Sequence, residues 1–154
     1  MAKNRNSLVI KKAKGSNSQF AMVGERKVKF SPNVIKYLGL ASEDIGKDSS
    51  GTNGIEMGID YEEKELVIYM VPKMVGRVVG GSFENPETYC ADICKDILSI
   101  IGEKLVNEGT VNFTNVIQDE FDDGTKIVVI DLTKYTANDG VFVKKIVTMN
   151  KENK

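Results

Sequence analysis

The 154-residue chain is 41% hydrophobic and 28% charged with three prolines, a balance that excludes disordered and collagen-like chains and fits a folded globular protein. At this length roughly two-thirds of the unfolded surface is buried on folding, so no disulfide or metal staple is required. The absence of histidine and tryptophan removes Ser-His-Asp and Cys-His catalysis, histidine zinc sites and the one side chain that titrates near neutrality.

Residues 1–7 read as a flexible basic tail, followed by a single α+β domain over 8–149 and a frayed end at 150–154. Leu8-Val9-Ile10 is too short for a signal-peptide core, and no apolar run approaches the ~20 residues that span a bilayer. The expected home is therefore a reducing cytoplasm, away from membranes. Phe20 to Val23 and Lys27 to Phe30 flank a turn and predict a β-hairpin with Lys27 and Lys29 on one face and Val28 and Phe30 on the other. Ser31-Pro32 then supplies a cap and a first-position proline for a short helix through Leu38, closed by Gly39. Residues 41–54 are polar and rich in glycine and serine, and read as an exposed loop.

A second hairpin is expected from Ile55 to Asp60 and Leu66 to Val71, with Pro72 ending the pairing and a short strand-like run from Met74 to Val79. Asn85-Pro86-Glu87 has the residues of a helix start, and apolar residues recur at Cys90, Ile93, Cys94, Ile97, Leu98, Ile101 and Leu105. That spacing predicts the longer and more buried helix, ending before Gly109. Beyond it the chain reads as β structure: one strand from Val111 to Ile117, a turn at Asp122 to Thr125, a strand from Ile127 to Leu132, and another from Val141 to Val147.

The two halves share a pattern. Val34 to Gly39 matches Ile97 to Gly102 at an offset of 63, Asp60 to Glu63 matches Glu120 to Asp123 at 60, and Leu66-Val67-Ile68 matches Ile127-Val128-Val129 at 61. The order helix, hairpin, extra strand thus occurs twice, over 27–79 and 88–147, and predicts an internal duplication. Chance similarity between apolar strands with acidic turns is the competing explanation.

Three local motifs carry little chemistry. Gly46 to Thr52 resembles a phosphate loop but lacks lysine after its second glycine and a following helix. Asp119 to Gly124 clusters carboxylates, yet Phe121 occupies a position where a calcium loop needs oxygen, so an acidic hairpin turn is expected. Cys90 and Cys94 have no further soft ligand and lie on the apolar stripe of their helix, as reduced core residues would. No metal, cofactor or catalytic residue is predicted, and the chain is read as a binding protein.

Charge is the remaining signal. Residues 1–36 hold nine basic residues against Glu25 alone, a net +8, so the rest of the chain carries the −9 that brings the total to −1. Lys3, Arg5, Lys11, Lys12, Lys14, Arg26, Lys27 and Lys29 are the candidate nucleic-acid contacts, with Phe20, Phe30 and Tyr37 nearby as candidate stacking faces. A solvated, lysine-rich terminus that only keeps the protein soluble is the plain alternative. From Val28-Lys29-Phe30-Ser31 through Leu38-Gly39-Leu40 to Val128-Val129-Ile130-Asp131-Leu132, the chain resembles small uncharacterised proteins of phages and prophages of low-GC Gram-positive bacteria. The resemblance implies a phage accessory role in a host cytoplasm. The first expectation is binding of single-stranded nucleic acid. The second is a binder of a host protein or signalling nucleotide, using the acidic turns and the 41–54 loop. A homo-oligomer is compatible with either.

Overall fold

Alternation of lysine with apolar residues sets the first hairpin. In the computed structural model, which describes residues 18–46, 50–102 and 109–137, β1 (Phe20–Val23) pairs antiparallel with β2 (Lys27–Phe30), Phe20 opposite Phe30 and Val23 opposite Lys27. Helix α1 (Pro32–Leu38) follows, and Gly39 closes it in the left-handed region at φ 103°. Ser31 makes no side-chain cap; its Oγ accepts from the Gln19 amide at 2.7 Å and donates to Asn33 Oδ1 at 2.6 Å, which ties the helix start to the entry of β1.

The segment read as an exposed loop is partly built. Ser42–Asp44 forms a 3-10 turn, and Asp44 is buried, accepting hydrogen bonds from Ala41 N at 2.9 Å, Asn53 N at 3.1 Å and Asn53 Nδ2 at 3.4 Å. Composition hid this, because a carboxylate that bridges two chain segments is as polar in sequence as a solvated one. The second hairpin, β3 (Asn53–Asp60) with β4 (Glu65–Pro72), forms as expected but begins two residues earlier. Met74 to Val79 is not a strand: Lys73–Val75 turns as a 3-10 helix, and single bridges join Arg77 to Ile55 and Val79 to Ile45.

The helix start moves from Asn85 to Cys90. Gly80–Gly81 (β5) and Pro86–Tyr89 (β6) pair with each other, and β6 pairs with β2 with Glu87 opposite Lys29. Proline is tolerated as the first residue of a strand, and the ladder to β2 satisfies amides that a helical turn would have left open. Helix α2 then runs Ala91–Ile101 and is capped by Gly102, φ 73°; Leu105, the last apolar position expected of it, lies outside the described residues. The helix is longer than α1, but each buries three residues: Val34, Ile35 and Leu38 against Ile93, Cys94 and Ile97.

The run read as one strand from Val111 to Ile117 divides at Thr114-Asn115 into β7 (Thr110–Phe113) and β8 (Val116–Glu120), which belong to different sheets. β9 (Lys126–Asp131) forms as expected, and β10 (Tyr135–Ala137), which the sequence reading missed, pairs with β7. The expected strand at 141–147 lies outside the described residues.

These strands make two antiparallel sheets, one in the order β10-β7-β1-β2-β6-β5 and the other β3-β4-β9-β8, so the fold is α+β with two helices. The main core draws Phe20, Met22, Val28, Phe30 and Phe113 from the first sheet and Ile55, Leu66, Ile68, Val128 and Ile130 from the second, with the apolar faces of both helices. Val67, Ile127 and Val129 form a smaller cluster with Tyr69 and Phe121, so β4 and β9 are buried on alternate residues of both faces.

Ile130 is fully buried in the main core, and Ile130→Ala is expected to cost roughly 2–5 kcal/mol in urea unfolding. Met74, 88% exposed, should tolerate alanine within about 0.5 kcal/mol. Asp44 yields a pH prediction. Burial alone would raise its pKa, but the Ala41 and Asn53 hydrogen bonds and the Lys73 charge hold it below the ordinary carboxylate value. Its contribution is therefore complete above the unfolded pKa of ~3.9 and is lost as pH falls through the lower folded value. Asp44→Asn should cost about 1–3 kcal/mol at neutral pH, with the gap to the parent protein closing below about pH 4.

Candidate nucleic-acid interface

Because β2 alternates, the residues that leave Val28 and Phe30 in the core place Lys27 and Lys29 on the opposite, outward face of the first sheet. Strand register extends that face. Ala21, Asn112 and Thr136 lie in line with Lys29 and Glu87, while Val23 and Thr110 lie in line with Lys27 and Tyr89. Lys29 is exposed. Lys27 is half-buried, 3.2 Å from Glu87 and 6.0 Å from the centre of the Tyr89 ring. The Glu87 carboxylate and the Tyr89 ring thus hold Lys27 at the seam between β2 and β6, and Lys29 is the exposed cation of the strand.

Arg26 is exposed in the β1–β2 turn, and its carbonyl accepts the Cys90 amide at 2.7 Å, which joins that turn to the start of α2. Of the eight sequence-predicted cations, Lys27 and Lys29 share the outward face of β2, Arg26 lies in the adjoining turn, and Lys3, Arg5, Lys11, Lys12 and Lys14 lie outside the described residues. The aromatic candidates are placed elsewhere. Phe20 and Phe30 are core residues 5.7 Å apart, and the half-buried Tyr37 donates its hydroxyl to the Asp119 carbonyl at 2.6 Å. The aromatic ring on the outward face is Tyr89, 69% exposed.

Where the β1–β2 turn meets the first turn of α2, a cleft of about 730 Å³ opens, lined by Glu25, Arg26, Arg77, Tyr89, Asp92 and Lys95 among others. Arg77 grips Asp92 through two hydrogen bonds, Nη1 to Oδ1 at 3.1 Å and Nη2 to Oδ2 at 2.8 Å. This pairing holds the Asp92 carboxyl below, and the Arg77 guanidinium above, their ordinary pKa values. Sequence reasoning missed Tyr89, Arg77 and Lys95. Had 86–89 been read as a strand, the alternation of Thr88 and Tyr89 would have exposed the ring; nothing in the sequence marks Arg77 or Lys95.

Cys90 and Cys94 are both buried and reduced. The proximity of Cys90, with burial, drives the Cys94 thiol far above its ordinary pKa, while the hydrogen bond from Cys94 and the Arg77 charge lower that of Cys90 against the opposing effect of burial. The expected acidic turn at Asp119 to Gly124 is only partly a turn: Asp119, buried, and Glu120 end β8, and the turn proper spans 121–125, its Asp123 Oδ1 accepting the Thr125 amide at 2.9 Å. Among the described residues no cluster of three or more Cys, Asp or Glu side chains could hold a metal ion, and no helix is long and apolar enough to cross a membrane. Comparison with protein-family models, curated proteins and solved structures finds no match for this chain.

Burial governs thiol chemistry here more than acidity does, because a reagent must reach the sulfur. Under native conditions a maleimide should label neither cysteine on the timescale that labels both in denaturant; rapid labelling of Cys90 in the folded protein would contradict its placement beneath the cleft.

Proposed function

We propose that this protein acts by binding nucleic acid, single strands in the first place, through its basic N-terminal arm and the outward face of β2. The observation that carries this reading is the outward face of β2, where Lys27 and Lys29 lie beside the exposed Tyr89 of the neighbouring strand, with the exposed Arg26 in the adjoining turn. Cations along a track neutralise successive phosphates and release their counterions, and an aromatic face adds stacking that any base can use. Lys3, Arg5, Lys11, Lys12 and Lys14 precede this strand and extend the same charge. The rest of the chain is net negative, so it repels phosphate from other faces and orients the protein on a strand. The phage-like resemblance supports an accessory, non-catalytic role in a host cytoplasm.

A second reading, a binder of a host protein, is favoured by one observation. Met74 and Val75 are 88% and 69% exposed on the 3-10 turn after β4, an apolar knob of the kind protein partners cover. The two acidic turns do not adjoin each other. β4 and β9 run antiparallel, which puts the turns at 61–64 and 121–125 at opposite ends of their sheet. Capture of one host protein at moderate salt, lost in Met74→Asp, would favour this reading.

For the nucleic-acid reading, fluorescence anisotropy with labelled single- and double-stranded oligonucleotides at low salt is the direct test. If about five cations touch phosphates, log affinity for single strands should fall against log salt with a slope of roughly −3.5. Replacing Lys11, Lys12 and Lys14 by alanine should weaken binding equally for all sequences and flatten the slope. No detectable binding to either strand form would sink the proposal.

A further inference from the structure

The cleft between the β1–β2 turn and α2 adjoins the basic face, and the residue they share is Tyr89. On one side its ring lies beside Lys27 on the sheet, and on the other it lines the cleft with Arg26 and Lys95. We propose that this cleft receives one nucleotide unit, its base stacked on Tyr89 and its phosphate held by Arg26 and Lys95. The inference rests on the nucleic-acid reading and deepens it, since it assigns a base-contacting site where that reading supplies phosphate contacts.

Size and chemistry agree with this occupant. At about 730 Å³ the cleft lies within the range of small-molecule sites, roughly 300–1,000 Å³. Asp92 would repel a phosphate, but its carboxylate is already neutralised by the two-pronged bond to Arg77. That leaves the exposed cations of Arg26 and Lys95 for the anion and the Glu25 carboxylate as an acceptor for an N–H of the base, which in thymine is N3–H. Tyr89 is 69% exposed, so its ring is ordered by its place at the end of β6 and still open to stacking. A nucleic-acid strand that meets Lys27 on β2 meets Tyr89 beside it, because the two are register partners on neighbouring strands.

The same chemistry could be met by a nucleotide within a strand or by a free mononucleotide, and the test separates them. Affinity of the full chain for a labelled oligo-dT strand and for dTMP would be measured for the parent protein, Tyr89→Ala, Tyr89→Phe, Arg26→Ala with Lys95→Ala, and Lys29→Ala. All replaced residues are exposed or half-exposed, and circular dichroism would verify the fold. Tyr89→Ala should weaken strand binding roughly five- to hundred-fold without changing the salt slope, and Tyr89→Phe should restore it. The Arg26 and Lys95 double variant should lower the slope, as Lys29→Ala does. If the strand binds and neither Tyr89→Ala nor the double variant changes its affinity, the cleft is overturned while the basic face stands. If dTMP binds in a Tyr89-dependent way and no strand does, the cleft stands with a free nucleotide as its occupant and the nucleic-acid reading falls. Binding of neither overturns both.

Discussion

The antiparallel pairing of β4 with β9 positions the rest of the molecule. Leu66 opposite Ile130 and Ile68 opposite Val128 face the main core, while Val67 opposite Val129 faces the smaller cluster around Tyr69 and Phe121. Burial on both faces fixes the register firmly, because a slip of one residue would exchange the two apolar sets and misfit both clusters. Each strand then brings its own hairpin partner, β3 or β8, and α1 is held over this sheet by the bond from Tyr37 to the Asp119 carbonyl. The Leu132 amide donates to the Lys64 carbonyl at 3.0 Å, which locks the end of β9 against the turn of the other hairpin.

The two sheets share one continuous stretch of chain. The chain crosses between sheets at Thr114-Asn115, where the Thr114 amide donates to Lys134 O and the Asp131 amide donates to Asn115 O. β7 lies against β1 and β8 against β9, although the sequence from Val111 to Ile117 has no proline or glycine to divide it. Such a division is decided by which sheet has a free edge, and local propensity carries no record of that. The hairpins were legible because period-2 alternation and their turns are local. Asn85-Pro86-Glu87 was misread for the opposite reason: its cap chemistry is local and correct for a helix, and the long-range ladder to Lys29 outweighed it.

The same division applies to the interface. Lys27 and Lys29 were readable as outward-facing, since alternation with Val28 and Phe30 dictates it. The aromatic half of the surface was not readable, because Tyr89 arrives beside Lys27 through a pairing of strands some sixty residues apart in the chain. Phe20, Phe30 and Tyr37 are close to the lysines in sequence, yet they serve the core and the tie between α1 and β8. The cleft is more remote still, as Arg77 and Lys95 come from segments with no motif in common.

The offsets between the halves have a physical counterpart. Gly39 and Gly102 both end their helices in the left-handed region, and the offset changes from 60 to 61 because the β3–β4 turn spans four residues where the β8–β9 turn spans five. Strand order is palindromic about β4 and β9 in one sheet, and about β2 and β6 within β1-β2-β6-β5 in the other. The third member of the expected repeat does not appear in the first half, where a 3-10 turn replaces the strand. The β2–β6 seam also explains why the basic face is single. In a symmetric seam, β6 would set a second pair of lysines directly against Lys27 and Lys29, and like charges opposite one another in a ladder are destabilising. Here β6 presents Glu87 and Tyr89 instead, which avoids that repulsion, anchors Lys27 and leaves one strand of cations bordered by an aromatic ring.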